Sequence, residues 1–197
     1  MAQSAKTLML ATLISLSGCG DNLDQEAREL VNDFYQTHQA MHPNGALSLQ
    51  QLITMRHFLS VPLFDLLKDV SVAEEARLAR NGIGSPALVN DDLFTTNPKG
   101  ASSFRLLTCQ VIENNANCST EVIYRDTQQP TPYKSIDRMV LTRDTRGWVI
   151  NNIVYGSAAN SGMHEGDLQT QLQTILSVNP RKAISASQPS ENDAPVK

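Results

Sequence analysis

The chain has 197 residues, of which 41% are hydrophobic and 18% charged, and its formal net charge is −4. This composition is that of one ordinary globular domain, and a chain of this length buries enough surface to form a core without metal ions or many disulfides. A mildly acidic chain without a long basic run lacks the clustered Lys and Arg that drive binding to phosphate backbones, so nucleic acid is excluded as an expected partner.

Residues 1–18 carry the pattern of a secretory signal. Lys6 precedes an apolar run over 8–16, which is too short to span ~30 Å of hydrocarbon but has the length of a signal-peptide core. The run ends in Leu16-Ser17-Gly18-Cys19, which resembles the bacterial lipobox. We therefore expect cleavage between Gly18 and Cys19, with a diacylglyceryl group and palmitate on Cys19. An ordinary cleaved signal, or a buried apolar helix with a chance cysteine, remain as alternatives.

The other two cysteines, Cys109 and Cys118, flank an Asn-rich stretch between two strand-like runs. Such a stretch is typical of a hairpin turn, which would place the cysteines opposite each other. An exported protein meets an oxidising compartment, so we expect a disulfide. The alternative is two reduced cysteines that pack as small hydrophobic side chains.

After the lipidated cysteine, residues 19–23 are predicted to form a short tether, with Asp21 or Asn22 as helix cap. A first helix then carries an apolar stripe from Ala27 to Met41. Ser48 with Gln51 forms a capping-box pattern for a second helix. A third helix is expected from Ser60 towards residues 81–82, either continuous or broken around Ser71. These signals place helices in the first half of the chain.

The second half is rich in Val, Ile, Thr and aromatic residues, in runs that predict four strands. The runs are 104–112, 119–125, 136–143 and 148–155, followed by a closing helix from Leu168 to Leu176. The polar, proline-containing residues 179–197 are predicted to be a disordered tail. Helices first and strands after predict a single α+β domain over 24–178, with helices packed on a curved antiparallel sheet of about four strands and a closing C-terminal helix.

The polar motifs give little support for catalysis. His38 and His42 lie four residues apart without the glutamate of a zinc protease, so we expect structural or surface histidines and no metal site. Gly82-Ile83-Gly84-Ser85 is expected to be a plain turn, and Asp91-Asp92 to be turn and cap residues. Trp148 is expected in the core, with its indole N–H bonded to a carbonyl. The sequence predicts no catalytic residue and no cofactor.

Four short motifs occur in order along the chain: Asp33-Phe34-Tyr35, Asn90-Asp91-Asp92-Leu93-Phe94-Thr95, the run from Gly147 to Tyr155, and Gly166-Asp167-Leu168. Together they resemble the YbjP/YqhG-type envelope lipoproteins, a family of uncharacterised domains. The resemblance implies a cone-like α+β fold similar to nuclear transport factor 2, and no catalytic residues. In this family the motif after the tryptophan usually has two aspartates, whereas Asn151 and Asn152 stand there in this chain and carry no charge.

From these patterns we expect a lipid-anchored, non-enzymatic accessory protein that contacts another envelope protein, such as an outer-membrane channel or a secretion assembly. Gly20 after Cys19 favours the outer membrane, facing the periplasm. One alternative is an immunity protein that neutralises a periplasmic toxin. Another is a small-ligand binder or pocket-based enzyme, which Asp92 or Asp137 projecting into a closed apolar cavity would favour.

Overall fold

The computed structural model describes residues 19–156 and 162–178. The predicted signal over 1–18, with the cleavage-site residue Gly18, lies outside the described residues, and so does the predicted tail over 179–197. In the described ranges, no helix has the length and apolar character that crossing a bilayer requires.

Within these ranges the chain forms four helices and a four-stranded antiparallel sheet, which confirms the α+β class. The sheet is open and its strand order follows the chain, β1-β2-β3-β4. The cone-like shape stays a prediction. The elements are α1 (Cys19–Met41), α2 (Leu49–Met55), α3 (Val61–Asn81), β1 (Ser103–Ile112), β2 (Asn115–Tyr124), β3 (Tyr133–Asp144), β4 (Gly147–Val154) and α4 (Leu168–Val178).

Residues 19–23, which the sequence analysis assigned to a tether and a cap, are helical and belong to α1. This part of the helix is bonded to the sheet. The indole N–H of Trp148 donates to the carbonyl oxygen of Leu23 at 3.1 Å and so fastens the first turns to the start of β4. Further along the same face, Ala27 and Val31 are fully buried. The core position predicted for Trp148 is confirmed.

The caps of the next two helices follow their sequence signals. Ser48 and Gln51 form the predicted capping box, each side chain bonding to the backbone N–H of the other residue. Ser60 caps α3, and of the two alternatives at Ser71 the continuous helix is confirmed. The Ser71 hydroxyl is within bonding distance of the carbonyl oxygens of Leu67 and Leu47. Its hydroxyl is thus satisfied inside the packed structure, and α3 runs unbroken from Val61 to Asn81.

The β1–β2 hairpin brings Cys109 and Cys118 into direct register, and the predicted disulfide between them is confirmed. The turn contains Glu113, with a φ of 54°. Along β2 and β3 alternate side chains are buried, as expected for a sheet that helices cover on one face. Helix α1 packs over β1, β2 and β4, whereas α3 packs against α4 and β4.

Candidate functional site

A cleft of about 450 Å³ opens at the C-terminal end of α1. Its walls come from that helix end, from the loop between α3 and β1, and from the end of β2. Cys19 also lies on α1, and His38 in the cleft stands 19 positions further along this helix. The lining side chains with functional chemistry are His38, His42, Asp91, Asp92, Lys99 and Tyr124.

The most deeply buried polar pair of the cleft is His38 with Asp92. The Nε2 atom of His38 lies 2.7 Å from Oδ2 of Asp92, and the two side chains are 3% and 4% exposed. The other carboxylate oxygen of Asp92 accepts from the backbone N–H of Phe94 at 2.8 Å. Asp92 therefore does serve as the turn residue that the sequence predicted. It also pairs with a histidine 54 residues away.

The carboxylate of Asp92 leaves no room for a side chain at position 100, where the chain has a glycine. Gly100 has a φ of +84°, and a Cβ built on it lies 2.7 Å from Oδ2 of Asp92. The loop is also fastened on both sides. The Asp92 N–H donates to the Pro98 carbonyl at 2.7 Å, and the Gly45 N–H donates to the Asp91 carbonyl at 3.0 Å. The walls of the cleft are thus held by one hydrogen bond within the loop before β1 and by one that joins this loop to the distant loop after α1.

One ring nitrogen of His38 is left without a partner. Nδ1 is buried and makes no hydrogen bond within the described part of the chain. Since the carboxylate of Asp92 accepts the proton on Nε2, a neutral His38 ring has its lone pair on Nδ1. A buried ring nitrogen without a partner costs free energy, and the rings of Phe34, Tyr35 and Phe94 surround this imidazole.

The two charged side chains at the rim, those of Asp91 and Lys99, differ in whether they have a partner. Asp91 is half-buried, and its carboxylate makes no hydrogen bond or ion pair to any described residue. Lys99 is already engaged, because its ammonium lies 3.6 Å from Asp126 and 5.8 Å from the centre of the Tyr124 ring. The free charge of the cleft is therefore negative.

A second buried carboxylate, Asp137, belongs to the framework rather than to the cleft wall. Its oxygens accept from the backbone N–H and hydroxyl of Thr96 and from the hydroxyl of Ser135. Burial, followed by the negative charges of Asp137 and Asp92, raises the pKa of Tyr35 well above its ordinary value. Tyr35 is therefore neutral at physiological pH.

A hydrogen-bonded chain links the cleft loop to α4. The Nε2 atom of His164 bonds to the carbonyl oxygen of Asp92 at 2.9 Å, and Nδ1 of the same ring lies 2.9 Å from the side-chain amide nitrogen of Gln171. The Tyr155 hydroxyl lies 2.7 Å from the side-chain carbonyl oxygen of Gln171. Burial, and then the charge of Asp92, raises the pKa of Tyr155, so this hydroxyl keeps its proton.

The structure separates the residues that the sequence singled out. Cys109 and Cys118 lie near the β1–β2 turn, whereas the cleft lies where β2 ends at Tyr124. The turn over Gly82–Ser85 is confirmed as a plain turn, since Ser85 bonds to the Gly82 carbonyl through its N–H and its hydroxyl. It is separate from the cleft.

Of the two histidines, His42 is exposed at the cleft rim, and His38 is buried in it. Sequence reasoning missed the partnership of His38 with Asp92. The one available signal was that His38 stands at an apolar position of the helical stripe. Among the described residues, no group of three or more His, Cys, Asp or Glu side chains is arranged to hold a metal ion.

A closed apolar cavity with Asp92 or Asp137 projecting into it would have favoured a pocket-based enzyme, and the structure has only part of this arrangement. Asp92 does line a cleft, but the cleft is open and lined largely by polar residues, and Asp137 is saturated by hydroxyl and backbone donors. Comparison with known proteins finds no matching family model, no similar curated protein and no solved structure that matches. The resemblance to the YbjP/YqhG-type lipoproteins stays a prediction.

Proposed function

We propose that this chain is a lipid-anchored accessory protein of the bacterial envelope, which binds another envelope protein on the periplasmic side of the outer membrane. In this proposal Cys19 carries the lipid and the folded body is a binding module rather than an enzyme. The observation that supports it best is that Cys19 lies on α1, the helix that bonds to the sheet through Leu23 and Trp148.

That position makes the attachment stiff. Leu23 bonds to the sheet through its carbonyl oxygen, which accepts from the indole N–H of Trp148. At 1.5 Å of helix per residue, the acylated cysteine stands about 6 Å along the axis from this docking point. A lipid on Cys19 would therefore hold the body close to the bilayer, with little freedom for the domain to swing away.

The same helix separates the anchor from the cleft. From Cys19 to His38 the axis of α1 covers about 28 Å, again at 1.5 Å per residue. The cleft would then open at the end of the domain farther from the lipid, where a partner in the periplasm meets it. The near-complete burial of the His38–Asp92 pair, at 3% and 4% exposure, suits side chains that maintain the shape of this wall.

Replacing the acceptor thiol tests the anchor. We expect wild-type protein to stay in the membrane fraction after a high-salt wash, because two buried acyl chains anchor a protein stably. Cys19→Ser is expected to leave that fraction or to keep its leader. The matched control is Cys109→Ser with Cys118→Ser, which removes two other cysteines and keeps the anchor. A wild-type N-terminus without acyl mass would contradict the proposal.

Crosslinking in intact cells tests the partner. A photoreactive residue at the exposed rim position His42 is expected to capture one envelope protein reproducibly. The control position is Ile83, which is 94% exposed but lies in the turn after α3, outside the cleft. Capture of a secreted toxin at His42 would favour the immunity role instead. Equal capture at the two positions, or none at His42, would count against the accessory role.

A further inference from the structure

A groove of about 420 Å³ lies where the end of α2, the start of α3 and the β3–β4 turn meet. Its lining includes Arg56, Val61, Phe64, Lys68 and Arg146, and we call it the α2–α3 groove. On α3, Val61, Phe64 and Lys68 follow each other at spacings of three and four residues, which places them on one face of the helix. Because Val61 is 62% exposed and Phe64 is only half-buried, this face presents apolar side chains to solvent.

The α2–α3 groove also carries an excess of positive charge. The guanidinium of Arg56 makes no ion pair with any described residue. Lys68 lies 2.9 Å from Asp65, the one carboxylate among the described residues of the lining, and both side chains are about half exposed, at 49% and 51%. Arg146 pairs with the neighbouring turn residue Asp144 at 2.6 Å. With both pairs counted as neutral, one positive charge is left over.

Hydrogen bonds connect the α2–α3 groove to the part of α1 that carries Cys19. The guanidinium of Arg146 donates to the carbonyl oxygen of Leu59 at 3.1 Å. Two residues further along the chain, the indole N–H of Trp148 donates to the carbonyl oxygen of Leu23. Cys19 lies about one helical turn before Leu23, about 6 Å along the axis. The groove and a lipid on Cys19 would thus lie close together.

We propose that the α2–α3 groove lies against the anionic surface of the bilayer, with its apolar side chains among the lipid headgroups and its basic side chains beside lipid phosphates. A helix face that combines apolar and basic side chains is typical of segments that lie in a membrane interface. Basic side chains are attracted to an anionic leaflet only within about a Debye length, ~8–10 Å, so a groove close to the lipid attachment site is where they can act. This inference rests on the proposed lipid anchor and assigns the domain one face towards the membrane.

Photocrosslinking to lipid tests this orientation. The full chain is purified with benzoylphenylalanine at position 61 and reconstituted into vesicles of phosphatidylethanolamine and phosphatidylglycerol. The control position is 83, where Ile83 is also exposed but lies about 30 Å from Val61 along the axis of α3. We expect lipid adducts, counted by mass spectrometry, to be several times more abundant at position 61 than at position 83.

Removal of the basic side chains adds a second readout at position 61. Arg56→Gln with Lys68→Gln is expected to lower the adduct yield at least about threefold, since each basic residue near an anionic surface favours binding about fivefold. Vesicles of phosphatidylcholine, which carry no net charge, are expected to give a similar reduction with the unsubstituted groove. The control pair is Arg80→Gln with Arg138→Gln, which removes two exposed cations outside the groove and is expected to leave the yield unchanged.

The outcomes keep this inference separate from the proposed anchor. Where the purified chain has a bare Cys19, its thiol is coupled to a maleimide lipid of the same vesicles, so the domain is held at the same atom whether or not cells acylate it. Equal adduct yields at positions 61 and 83, or an unchanged yield in Arg56→Gln with Lys68→Gln, overturn the membrane-facing groove and leave the fractionation result standing. A failed anchor test in cells leaves the photocrosslinking standing.

Discussion

The imidazole of His38 and the carboxylate of Asp92 meet at 2.7 Å, although 54 residues separate them in the chain. One comes from the end of α1 and the other from the loop before β1, so their contact joins the helical half of the domain to the loop that frames the cleft. Both side chains are nearly removed from solvent. Their pairing therefore bears on stability as well as on the shape of the cleft.

Asp92→Ala is expected to lower the free energy of unfolding by about 3–5 kcal/mol, because it leaves a buried histidine and the Phe94 N–H without their acceptor. Urea denaturation measures the loss. The neighbouring variant Asp91→Ala is the control and is expected to change stability by less than about 0.5 kcal/mol, since that side chain has no described partner. Equal losses in the two variants would show that the buried pair contributes nothing specific.

Gly100→Ala is expected to destabilise the domain more than Gly147→Ala. Both glycines have positive φ angles, +84° and +107°, so each alanine carries the left-handed backbone penalty of about 1–2 kcal/mol. Only at Gly100 does the new Cβ also meet a carboxylate oxygen, at 2.7 Å, whereas Gly147 has open space. We expect this crowding to add about 1–3 kcal/mol. Thermal and urea unfolding of the two variants measure the difference, and identical values would contradict it.

Reduction of the disulfide between Cys109 and Cys118 is expected to lower stability by about 2.5–3 kcal/mol. In the loop-entropy view, a bridge over a sequence separation of 9 restricts the unfolded chain by this amount. Unfolding with and without dithiothreitol measures the effect. The double variant Cys109→Ser with Cys118→Ser controls for other actions of the reductant and is expected to respond to it not at all. A wild type that is indifferent to reduction would contradict the expectation.

Glu74→Gln is expected to cost stability at neutral pH and progressively less in acid. Hydrogen bonds from the Arg77 side chain hold the pKa of Glu74 below its ordinary value of 4.5. Because the folded-state pKa is the lower one, the contribution is fully present above the ordinary value and is lost as pH falls through the folded value. Urea unfolding of the wild type and of Glu74→Gln from pH 7 to pH 3 measures the difference between their free energies of unfolding. This difference is expected to narrow as the pH falls. A difference that stays constant would argue against the ion pair.

The fold was largely predictable because its signals are local. Periodic apolar residues, the Ser48 cap and the alternation in β2 and β3 each act within a few residues of the chain. The sequence patterns did not predict a helix over 19–23 and left a break at Ser71 open, yet both stretches are helical. Distant contacts accompany both stretches, from the indole of Trp148 to Leu23 and from the hydroxyl of Ser71 to Leu47, and local patterns do not show such contacts.

The cleft was much less predictable than the fold. His38 fits an apolar helical stripe, and Asp92 fits a turn, so each residue satisfies a local explanation on its own. Their partnership depends on how α1 crosses the sheet, and on a glycine at position 100 that gives the carboxylate its space. No pattern of spacing along the chain encodes that geometry.

The bond from Trp148 to Leu23 also gives the molecule a built-in optical reporter. The chain contains one tryptophan, and its ring is 5% exposed at the junction between the first turns of α1 and the start of β4. Emission excited at the long-wavelength edge of the tryptophan absorption, where the four tyrosines absorb little, thus reports on this junction. Fraying of the helix at that junction would shift the emission to longer wavelength, whereas events around Asp91 would leave the spectrum unchanged.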